Sequence, residues 1–302
     1  MIFLSKYVTI NLVNKMEQFY EIDKNESFNL IHIFECGQCF RWNKEKDGSY
    51  TGVFKNNVLN VKEENGKIKF QGICEGNIEN IVKEYFDLNT DYMKIKETLS
   101  KVDEYLEESI KFGKGIRILN QDLWEVLISF IISANNNIPR IKGIVERIAT
   151  QYGREIIYNG KSYYTFPKPD ELAKATVEDL RKLGLGFRDK RVYETTQKIK
   201  NGEINLNELV EIKDTNKIRE ILETLPGVGP KVADCILLFG LKRFEVFPID
   251  VWVRRIMNDL YIKNEDETKV NKKEIENLAK TKYAELAGIA QQYLFYWKRE
   301  TA

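Results

Sequence analysis

The stretch that decides the fold of this chain is Leu225-Pro226-Gly227-Val228-Gly229-Pro230-Lys231-Val232-Ala233-Asp234-Cys235. Apolar residues at helical spacing over 214–225 predict an amphipathic helix, and the proline that follows ends it because it lacks a backbone donor. Gly227 and Gly229 allow the positive φ that a tight reversal needs. Pro230 suits the first position of a second helix, which we expect to end at a left-handed Gly240. The pattern predicts a glycine-cornered hairpin between two helices rather than a plain turn.

The hairpin has two chemical consequences. Backbone amides at a helix N-terminus have no intrahelical partner, so those over 227–231 form a natural phosphate site. Lys231 stands on the first turn of the second helix, and an amine attacks an electrophile only when it is neutral. The positive end of the helix and the apolar neighbours of Lys231 both disfavour a second positive charge. A nucleophilic lysine is therefore expected, although a solvated lysine is the usual role of this residue type.

A carboxylate follows in the segment Phe247-Pro248-Ile249-Asp250-Val251-Trp252-Val253. Asp250 stands where it can accept a hydrogen bond at the start of a further helix. A carboxylate held in this way is rigidly placed, so it can also stabilise positive charge and move protons beside the amine. The two roles are compatible, and the sequence does not choose between them.

Four further motifs flank the hairpin in a fixed order. They are Cys36-Gly37-Gln38-Cys39-Phe40-Arg41-Trp42, Ser129-Phe130-Ile131-Ile132-Ser133-Ala134-Asn135-Asn136-Asn137, Leu183-Gly184-Leu185-Gly186-Phe187-Arg188 and Gly288-Ile289-Ala290-Gln291-Gln292-Tyr293-Leu294-Phe295. Together with the lysine hairpin, they make the chain from about Phe28 to Trp297 resemble the 8-oxoguanine DNA glycosylases of the helix-hairpin-helix superfamily. Members with the lysine also cut the DNA strand as AP lyases.

The resemblance implies a reaction and a base pocket. Lys231 would attack C1′ of the damaged nucleotide and form a Schiff base, Asp250 would assist, and β-elimination would break the strand 3′ to the lesion. Gly37 would offer its carbonyl to the N7–H of 8-oxoguanine, which guanine lacks. Cys235 and Phe295 would sandwich the extruded base. Gln291 would bind its Watson–Crick edge.

The resemblance also implies contacts with duplex DNA. The hairpin residues Gly227, Val228 and Gly229 would hold the backbone. Asn135 would fill the gap left by the extruded base, and Arg140 and Arg188 would contact the orphaned cytosine. Phe187 would wedge beside that cytosine. Eukaryotic relatives generally have tyrosine at Phe187 and histidine at Trp252, so the requirement for cytosine could be relaxed here.

Each carried-over residue also has an ordinary structural interpretation. Gly37 could be a strand-edge glycine, and Cys235 and Phe295 could be core residues. The asparagines could only cap the helix that starts at residue 138, and Arg140 could lie on a solvated face. Two functional alternatives also remain: a lyase for another oxidised or alkylated base, and a non-catalytic DNA-binding protein that uses only the hairpin.

Composition sets limits on cofactor and compartment. The 302 residues carry a net charge of only +1, so a DNA-binding surface would have to be a local patch. The four cysteines include one C-x-x-C pair, Cys36 and Cys39, which we place on a strand as packed thiols. No metal site and no iron–sulfur cluster are expected, because a second pair and a C-terminal four-cysteine cluster are lacking. A monovalent cation at the hairpin remains compatible. Unpaired thiols suit a reducing interior, so a cytoplasmic location is expected, at the nucleoid if the protein is bacterial or in the nucleus if it is eukaryotic. The expected partner is double-stranded DNA containing 8-oxoguanine. A monomer without membrane association is also expected.

The chain is expected to be an α+β protein, with an N-terminal antiparallel sheet domain packed on a mostly helical domain. The predicted divisions are a peripheral extension 1–15, a sheet domain with helices 16–115, and a helical domain 116–302. Short β-rich runs are predicted between residues 31 and 70, with a type I′ hairpin at Glu64-Asn65-Gly66. Helices are predicted over 77–86, 102–112, 121–133, 138–152, 169–183, 188–200, 214–225, 230–239, 251–260, 272–283 and 284–297.

Overall fold

The computed structural model describes residues 16–266 and 269–302, so the predicted extension 1–15 lies outside the described residues. Its N-terminal part is a five-stranded antiparallel sheet with strand order β1-β5-β4-β3-β2. The strands are β1 (Glu17–Asp23), β2 (Trp42–Lys44), β3 (Tyr50–Phe54), β4 (Asn57–Glu64) and β5 (Lys67–Ile73). Asn65 and Gly66 join β4 to β5 with φ of 53° and 72°. These two positive angles are those of a type I′ turn, so the predicted hairpin is confirmed.

The remainder is mostly helical and carries one small hairpin of β6 (Glu155–Tyr158) and β7 (Lys161–Tyr164). The helices are α1 (Leu30–Phe34), α2 (Ile78–Tyr85), α3 (Tyr92–Ser100), α4 (Glu104–Phe112), α5 (Leu123–Ser133), α6 (Ile138–Tyr152), α7 (Pro169–Leu172), α8 (Val177–Lys182), α9 (Asp189–Lys200), α10 (Leu206–Glu211), α11 (Thr215–Glu223), α12 (Pro230–Leu241), α13 (Val251–Met257), α14 (Lys272–Tyr283) and α15 (Ala287–Thr301). The predicted α+β architecture, a sheet domain on a helical domain, is confirmed. None of the helices within 16–266 and 269–302 is long and apolar enough to cross a bilayer.

The sheet domain and the helices have separate cores. The sheet core is aromatic, and its Phe34 and Trp42 rings stack with centroids 4.2 Å apart. The helical core takes in Cys36 and Phe40 from the loop between α1 and β2, and Leu106 and Ile110 from α4. The loop over 35–41 therefore lies against both cores. We keep the domain division between residues 115 and 116 as a proposal.

Sequence patterns were wrong about the segment that precedes this loop. Residues from Ile31 onward read as β-rich, yet Leu30–Phe34 is a helix, because the Asn29 side chain accepts a hydrogen bond from the His32 amide (3.1 Å) and caps it. Cys36 and Cys39 consequently lie in the loop after α1 rather than on a strand. Both thiols are buried and free.

Two helix boundaries also differ from expectation. Gly240 lies inside α12, and the left-handed end is Lys242 with φ of 55°. A Cβ on Gly240 would stand 2.8 Å from Leu123 Cδ1, so this glycine serves close packing of α12 on α5 instead of a cap. The single helix predicted over 169–183 is two, because Thr176 and Asp179 form a capping box that starts α8.

Candidate active site

The hairpin between α11 and α12 is held by contacts that only glycine permits at Gly227. Its φ is +88°, and a Cβ there would lie 3.0 Å from both Arg191 Cδ and Ile131 Cγ2. The Thr195 hydroxyl donates to the carbonyl of Pro226 (3.0 Å), which ties the hairpin to α9. The hairpin is therefore rigid and packed from behind.

The opposite side of the hairpin is open. A Cβ on Gly229 would meet no heavy atom within 4 Å, and Gly229 caps α12 with an extended backbone. The first backbone bond of the helix runs from the Ala233 amide to the Gly229 carbonyl (2.9 Å). The amides before it have no intrahelical carbonyl to donate to, and they carry the positive end of the helix. This geometry can hold a phosphate; the DNA contacts predicted for Gly227, Val228 and Gly229 remain a prediction.

The amine of Lys231 lies over the face of an aromatic ring. Its Nζ lies 5.3 Å from the centroid of the Phe130 ring. That ring stacks on Phe239 with centroids 5.4 Å apart and meets Phe40 edge-on at 5.5 Å. Within the described ranges, no carboxylate forms an ion pair with Lys231. Such a pair would hold the amine in its protonated, non-nucleophilic form.

Cys235 lies one helical turn after Lys231 and is buried. Burial raises the pKa of its thiol to about 11; the positive charge of Lys231 opposes this rise, and the negative charges of Asp234 and Asp250 add to it. Lys231 and Asp250 are therefore both within electrostatic range of Cys235. At neutral pH the thiol is uncharged, which suits an apolar wall and leaves the amine as the nucleophile of this cluster.

Asp250 is a half-buried N-cap. Its Oδ1 accepts a hydrogen bond from the Val253 amide (2.8 Å), and its carbonyl accepts from the Arg254 amide (2.9 Å). The capping role expected from the sequence is confirmed. The capping bond uses only one carboxylate oxygen, and the negative charge of Asp250 acts on Cys235 in the neighbouring cluster.

Gly37 and Phe295 come together from opposite ends of the chain. Gly37 has φ of +87°, and a Cβ there would lie 3.5 Å from Phe295 Cε1 and 3.3 Å from Arg299 Nη1. Gln291, one turn earlier on α15, is buried, and its Oε1 accepts a hydrogen bond from Gln292 Nε2 (3.0 Å). The structure thus brings together part of the predicted base pocket; the roles of these residues stay predictions.

The Asn135 turn and the Gly184–Arg188 loop form a second cluster. Asn135 is exposed with φ of +50°. Phe187 is 55% exposed, with the Arg188 guanidinium carbon 4.2 Å from its ring centroid. Arg140 is exposed and has one weak contact, 3.5 Å from Nη2 to the Gly184 carbonyl. Asn135, Phe187 and Arg140 are thus accessible to a duplex.

Arg188 differs from Arg140 because its guanidinium is buried and donates hydrogen bonds to backbone carbonyls of the protein. It is 2% exposed. Nε and Nη2 donate to the Ala134 carbonyl (2.8 and 2.5 Å), Nη2 also donates to the Asn135 carbonyl (2.6 Å), and Nη1 donates to the Leu185 carbonyl (3.2 Å). The sequence predicts a base contact for Arg188, whereas the observed contacts shape the Asn135 turn.

We expect Arg188→Met to destabilise the fold much more than Arg140→Met. The first change leaves buried carbonyls without donors, which costs roughly 2–4 kcal/mol. The second removes an exposed side chain, and its effect should stay within about 0.5 kcal/mol. Urea unfolding of the two variants measures the difference, and equal losses would mean that the Arg188 clamp contributes nothing.

Two residues near the candidate pocket were missed by sequence reasoning. Gln38 is buried, and its Nε2 donates to the carbonyls of Ile33 (2.9 Å) and Arg117 (2.7 Å). Arg299 lies against Gly37 and Phe295. No local pattern signals either role, because Arg117 is far from Gln38 in the chain and Gly37 is far from Arg299.

Family models match the chain over both parts of the fold. One described as 8-oxoguanine DNA glycosylase, N-terminal domain, matches residues 20–127. Another, described as HhH-GPD superfamily base excision DNA repair protein, matches residues 128–287. The chain belongs to the 8-oxoguanine DNA glycosylase family of the helix-hairpin-helix superfamily. The resemblance identified in the sequence is thereby confirmed.

Named relatives agree with membership of the 8-oxoguanine DNA glycosylase family. The N-glycosylase/DNA lyase of Saccharomyces cerevisiae is 33% identical over 87% of this chain and 74% of its own length. A probable N-glycosylase/DNA lyase of Methanothermobacter thermautotrophicus is 31% identical over 80% of this chain and 83% of its own. A similar solved structure is that of a Clostridium acetobutylicum 8-oxoguanine glycosylase/lyase in complex with double-stranded DNA containing cytosine opposite 8-oxoG. It is 41% identical with a TM-score of 0.88, and the match covers 95% of this chain and 98% of the other.

Proposed function

We propose that this protein excises 8-oxoguanine from duplex DNA and then cuts the strand, as a bifunctional N-glycosylase and AP lyase of base excision repair. The observation that carries the proposal is the cluster of Lys231 and Cys235 on the hairpin helix α12 with Asp250 at the N-terminus of α13. Membership of the family supports it, because relatives are named N-glycosylase/DNA lyase and 8-oxoguanine glycosylase/lyase. An amine at this place distinguishes a lyase from a protein that only grips phosphate.

Binding would begin with the DNA backbone. The open amides at Gly229 and the start of α12 would hold a phosphate. A base inside a duplex is out of reach of Lys231, so it must be extruded at a cost of a few kcal/mol. Phe187 and Asn135, both exposed, would enter the duplex and fill the gap. Arg140, whose guanidinium is nearly free, is the better placed of the two arginines to read the orphaned base.

The extruded base would be read at its edges. The Gly37 carbonyl would accept the N7–H of 8-oxoguanine, and an unmatched buried acceptor would penalise guanine by roughly 1–3 kcal/mol. Cys235 and Phe295 would cover the two faces of the ring. The Gln291 amide would bind the Watson–Crick edge, with Gln292 holding its oxygen in place.

The reaction would then proceed through the amine. Neutral Lys231 Nζ attacks C1′, the C1′–N9 bond breaks, and its electron pair leaves with the base, which takes up a proton. Nζ then gives up one proton, and the C1′–O4′ bond breaks with its electron pair passing to O4′, which takes up a proton. A protonated imine remains between Nζ and C1′, with its positive charge near Asp250. When C2′ loses a proton, the electrons of that C–H bond form a C2′–C3′ double bond, and the 3′ phosphate leaves with the electron pair of the C3′–O bond. Water then hydrolyses the imine and releases Lys231. The nucleophile and the carboxylate are both side chains of this protein, and we propose that no cofactor takes part.

The described residues contain no group of three or more His, Cys, Asp or Glu side chains that could hold a metal ion. A monovalent cation at the hairpin and a monomeric state stay predictions. Since the proposed substrate is chromosomal DNA, we expect the protein in the compartment that holds the chromosome, which is the cytoplasm and nucleoid of a bacterium or the nucleus of a eukaryote.

The proposal is tested with matched duplexes that carry 8-oxoguanine opposite each of the four bases, and with guanine and other damaged bases as competitors. We expect excision and strand cleavage only at 8-oxoguanine, with some preference for cytosine through Arg140. Excision of a different lesion alone would reassign the substrate. Lesion binding without any excision would make the protein non-catalytic.

Asp250→Asn separates the two roles of that residue. Asparagine is as good an N-cap as aspartate, so the melting temperature should change little. Loss of the negative charge beside C1′ should lower the single-turnover excision rate by about 100-fold. The control is Asp214→Asn at the cap of α11, where the carboxylate accepts from the Asn216 amide (2.9 Å) and no reaction is proposed. Equal activity of the two variants would assign Asp250 to capping alone.

A further inference from the structure

The two walls of the candidate base pocket are joined by one side chain. Gly37 belongs to the loop after α1, whereas Phe295 belongs to α15 near the other end of the chain. Arg299, one turn after Phe295, reaches across: its Nη2 donates to the carbonyl of Glu35. Its guanidinium carbon lies 5.3 Å from the Phe295 ring centroid.

The remaining contacts of Arg299 hold its orientation. Nε and Nη2 each lie 2.9 Å from Glu300 Oε1. Nη1 is buried without a hydrogen-bond partner, and it stands 3.3 Å from where a Cβ on Gly37 would be. A buried donor without an acceptor is costly, so this placement is not explained by hydrogen bonding alone. It is explained if the guanidinium serves as a spacer between Gly37 and Phe295.

The loop that carries Gly37 is anchored at several other points, including the Gln38 carbonyl, which accepts a hydrogen bond from Gln121 Nε2 (2.8 Å). On the side away from α15, Gln38 bonds the carbonyls of Ile33 and Arg117, and its Oε1 accepts from the Leu119 amide (2.8 Å). Arg299 supplies the anchor on the α15 side. With both in place, the peptide of Gly37 has a fixed direction relative to the Phe295 ring.

We propose that Arg299 is a positioning residue for lesion recognition. It holds the Gly37 carbonyl and the Phe295 ring at a fixed separation, so that an oxidised purine fits against the ring with its N7–H on the carbonyl. This inference rests on the proposed function, because it assigns a cause to the recognition proposed for Gly37. The proposed role of Arg299 affects recognition of the base, whereas Lys231 reacts with the sugar. The two roles can therefore be measured separately.

The test compares two reactions of the full-length protein. One is single-turnover excision of 8-oxoguanine from a duplex, and the other is strand cleavage at a preformed abasic site in the same duplex. Arg299→Met should lower the rate of excision at least about tenfold, which corresponds to the loss of one well-placed hydrogen bond. The rate of cleavage at the abasic site should stay within about twofold of wild type. Arg299→Lys keeps the charge and can still donate to the Glu35 carbonyl, so it should restore part of the excision rate.

The matched control is Lys298→Met on the same helix, since Lys298 forms an ion pair with Asp259 (2.8 Å) away from the pocket. It should leave both reactions unchanged. Unchanged excision in both Arg299 variants, or an equal fall in the two reactions, overturns the inference. If Arg299→Met does not fold, the comparison of Arg299→Lys with wild type decides by the same criterion. Wild-type protein that cleaves abasic sites but does not excise 8-oxoguanine would instead overturn the proposed function, and this inference with it.

Discussion

Replacing Lys231 with glutamine will abolish the covalent complex that borohydride traps between this protein and 8-oxoguanine DNA. The amide of glutamine has no lone pair available for attack on C1′, so no imine can form and be reduced. Strand cleavage should fall on the order of 10³-fold or more, because the covalent route is removed. Gel analysis of reduced reaction mixtures measures the adduct, and peptide mapping locates it.

Binding should survive this change. The open amides of the hairpin come from the backbone, and Lys231 forms no ion pair within the described part of the chain, so its loss leaves the phosphate site and the fold intact. The affinity for the lesion duplex should stay within about threefold of wild type at a fixed salt concentration, because the variant loses only one positive charge near the DNA phosphates. Lys231→Arg is the matched control, because it keeps the positive charge without a nucleophile. A trapped adduct in either variant would place the nucleophile elsewhere.

The second large effect is expected for Gly37→Ala. Its φ of +87° is strained for alanine, and the new methyl group would stand 3.3 Å from Arg299 Nη1, which is tighter than an ordinary contact. The Gly37 peptide must then turn or the pocket must widen, and either change removes the proposed hydrogen bond to N7–H. A loss of roughly 1–3 kcal/mol corresponds to about tenfold to a few hundredfold in the single-turnover excision rate.

Gly48→Ala is the control for backbone strain. Gly48 lies in the turn between β2 and β3 with φ of +85°, and a Cβ there would meet nothing within 4 Å. Both variants carry the same conformational cost, yet only Gly37→Ala should lose excision, and its cleavage of preformed abasic sites should persist. If Gly48→Ala loses as much excision, the effect is general instability, and the assignment of Gly37 to base recognition is wrong.

Local rules predicted the elements that need only neighbours in the chain. The caps at Asn137 and Asp250 are confirmed, because a short polar side chain accepts a hydrogen bond from the amide three residues ahead. The turn at Asn65-Gly66 is confirmed because asparagine and glycine both tolerate the positive φ that a type I′ turn needs. The Asn159-Gly160 turn between β6 and β7 carries the same signal, with φ of 48° and 69°, and was overlooked.

The predictions that were wrong depended on packing between distant elements. Gly240 was expected to end a helix, but the helix continues to Leu241, and a Cβ on Gly240 would stand 2.8 Å from Leu123 Cδ1 of α5. Short β-rich runs were expected from Ile31 onward, yet Leu30–Phe34 is a helix that Asn29 caps. Apolar content alone does not separate a short buried helix from a short buried strand.

The sequence by itself determined the hairpin, the amine on its first turn, the capping carboxylate and the family to which the chain belongs. These depend on residues adjacent in the chain or on motifs in a fixed order. Only the tertiary structure decided that Arg188 clamps the Asn135 turn while Arg140 stays free, and that Arg299 joins the two ends of the chain at Gly37. The reason is physical. A guanidinium donates to whichever backbone carbonyls lie near it in space. Every residue has a backbone carbonyl, so the sequence does not indicate which ones will be bound.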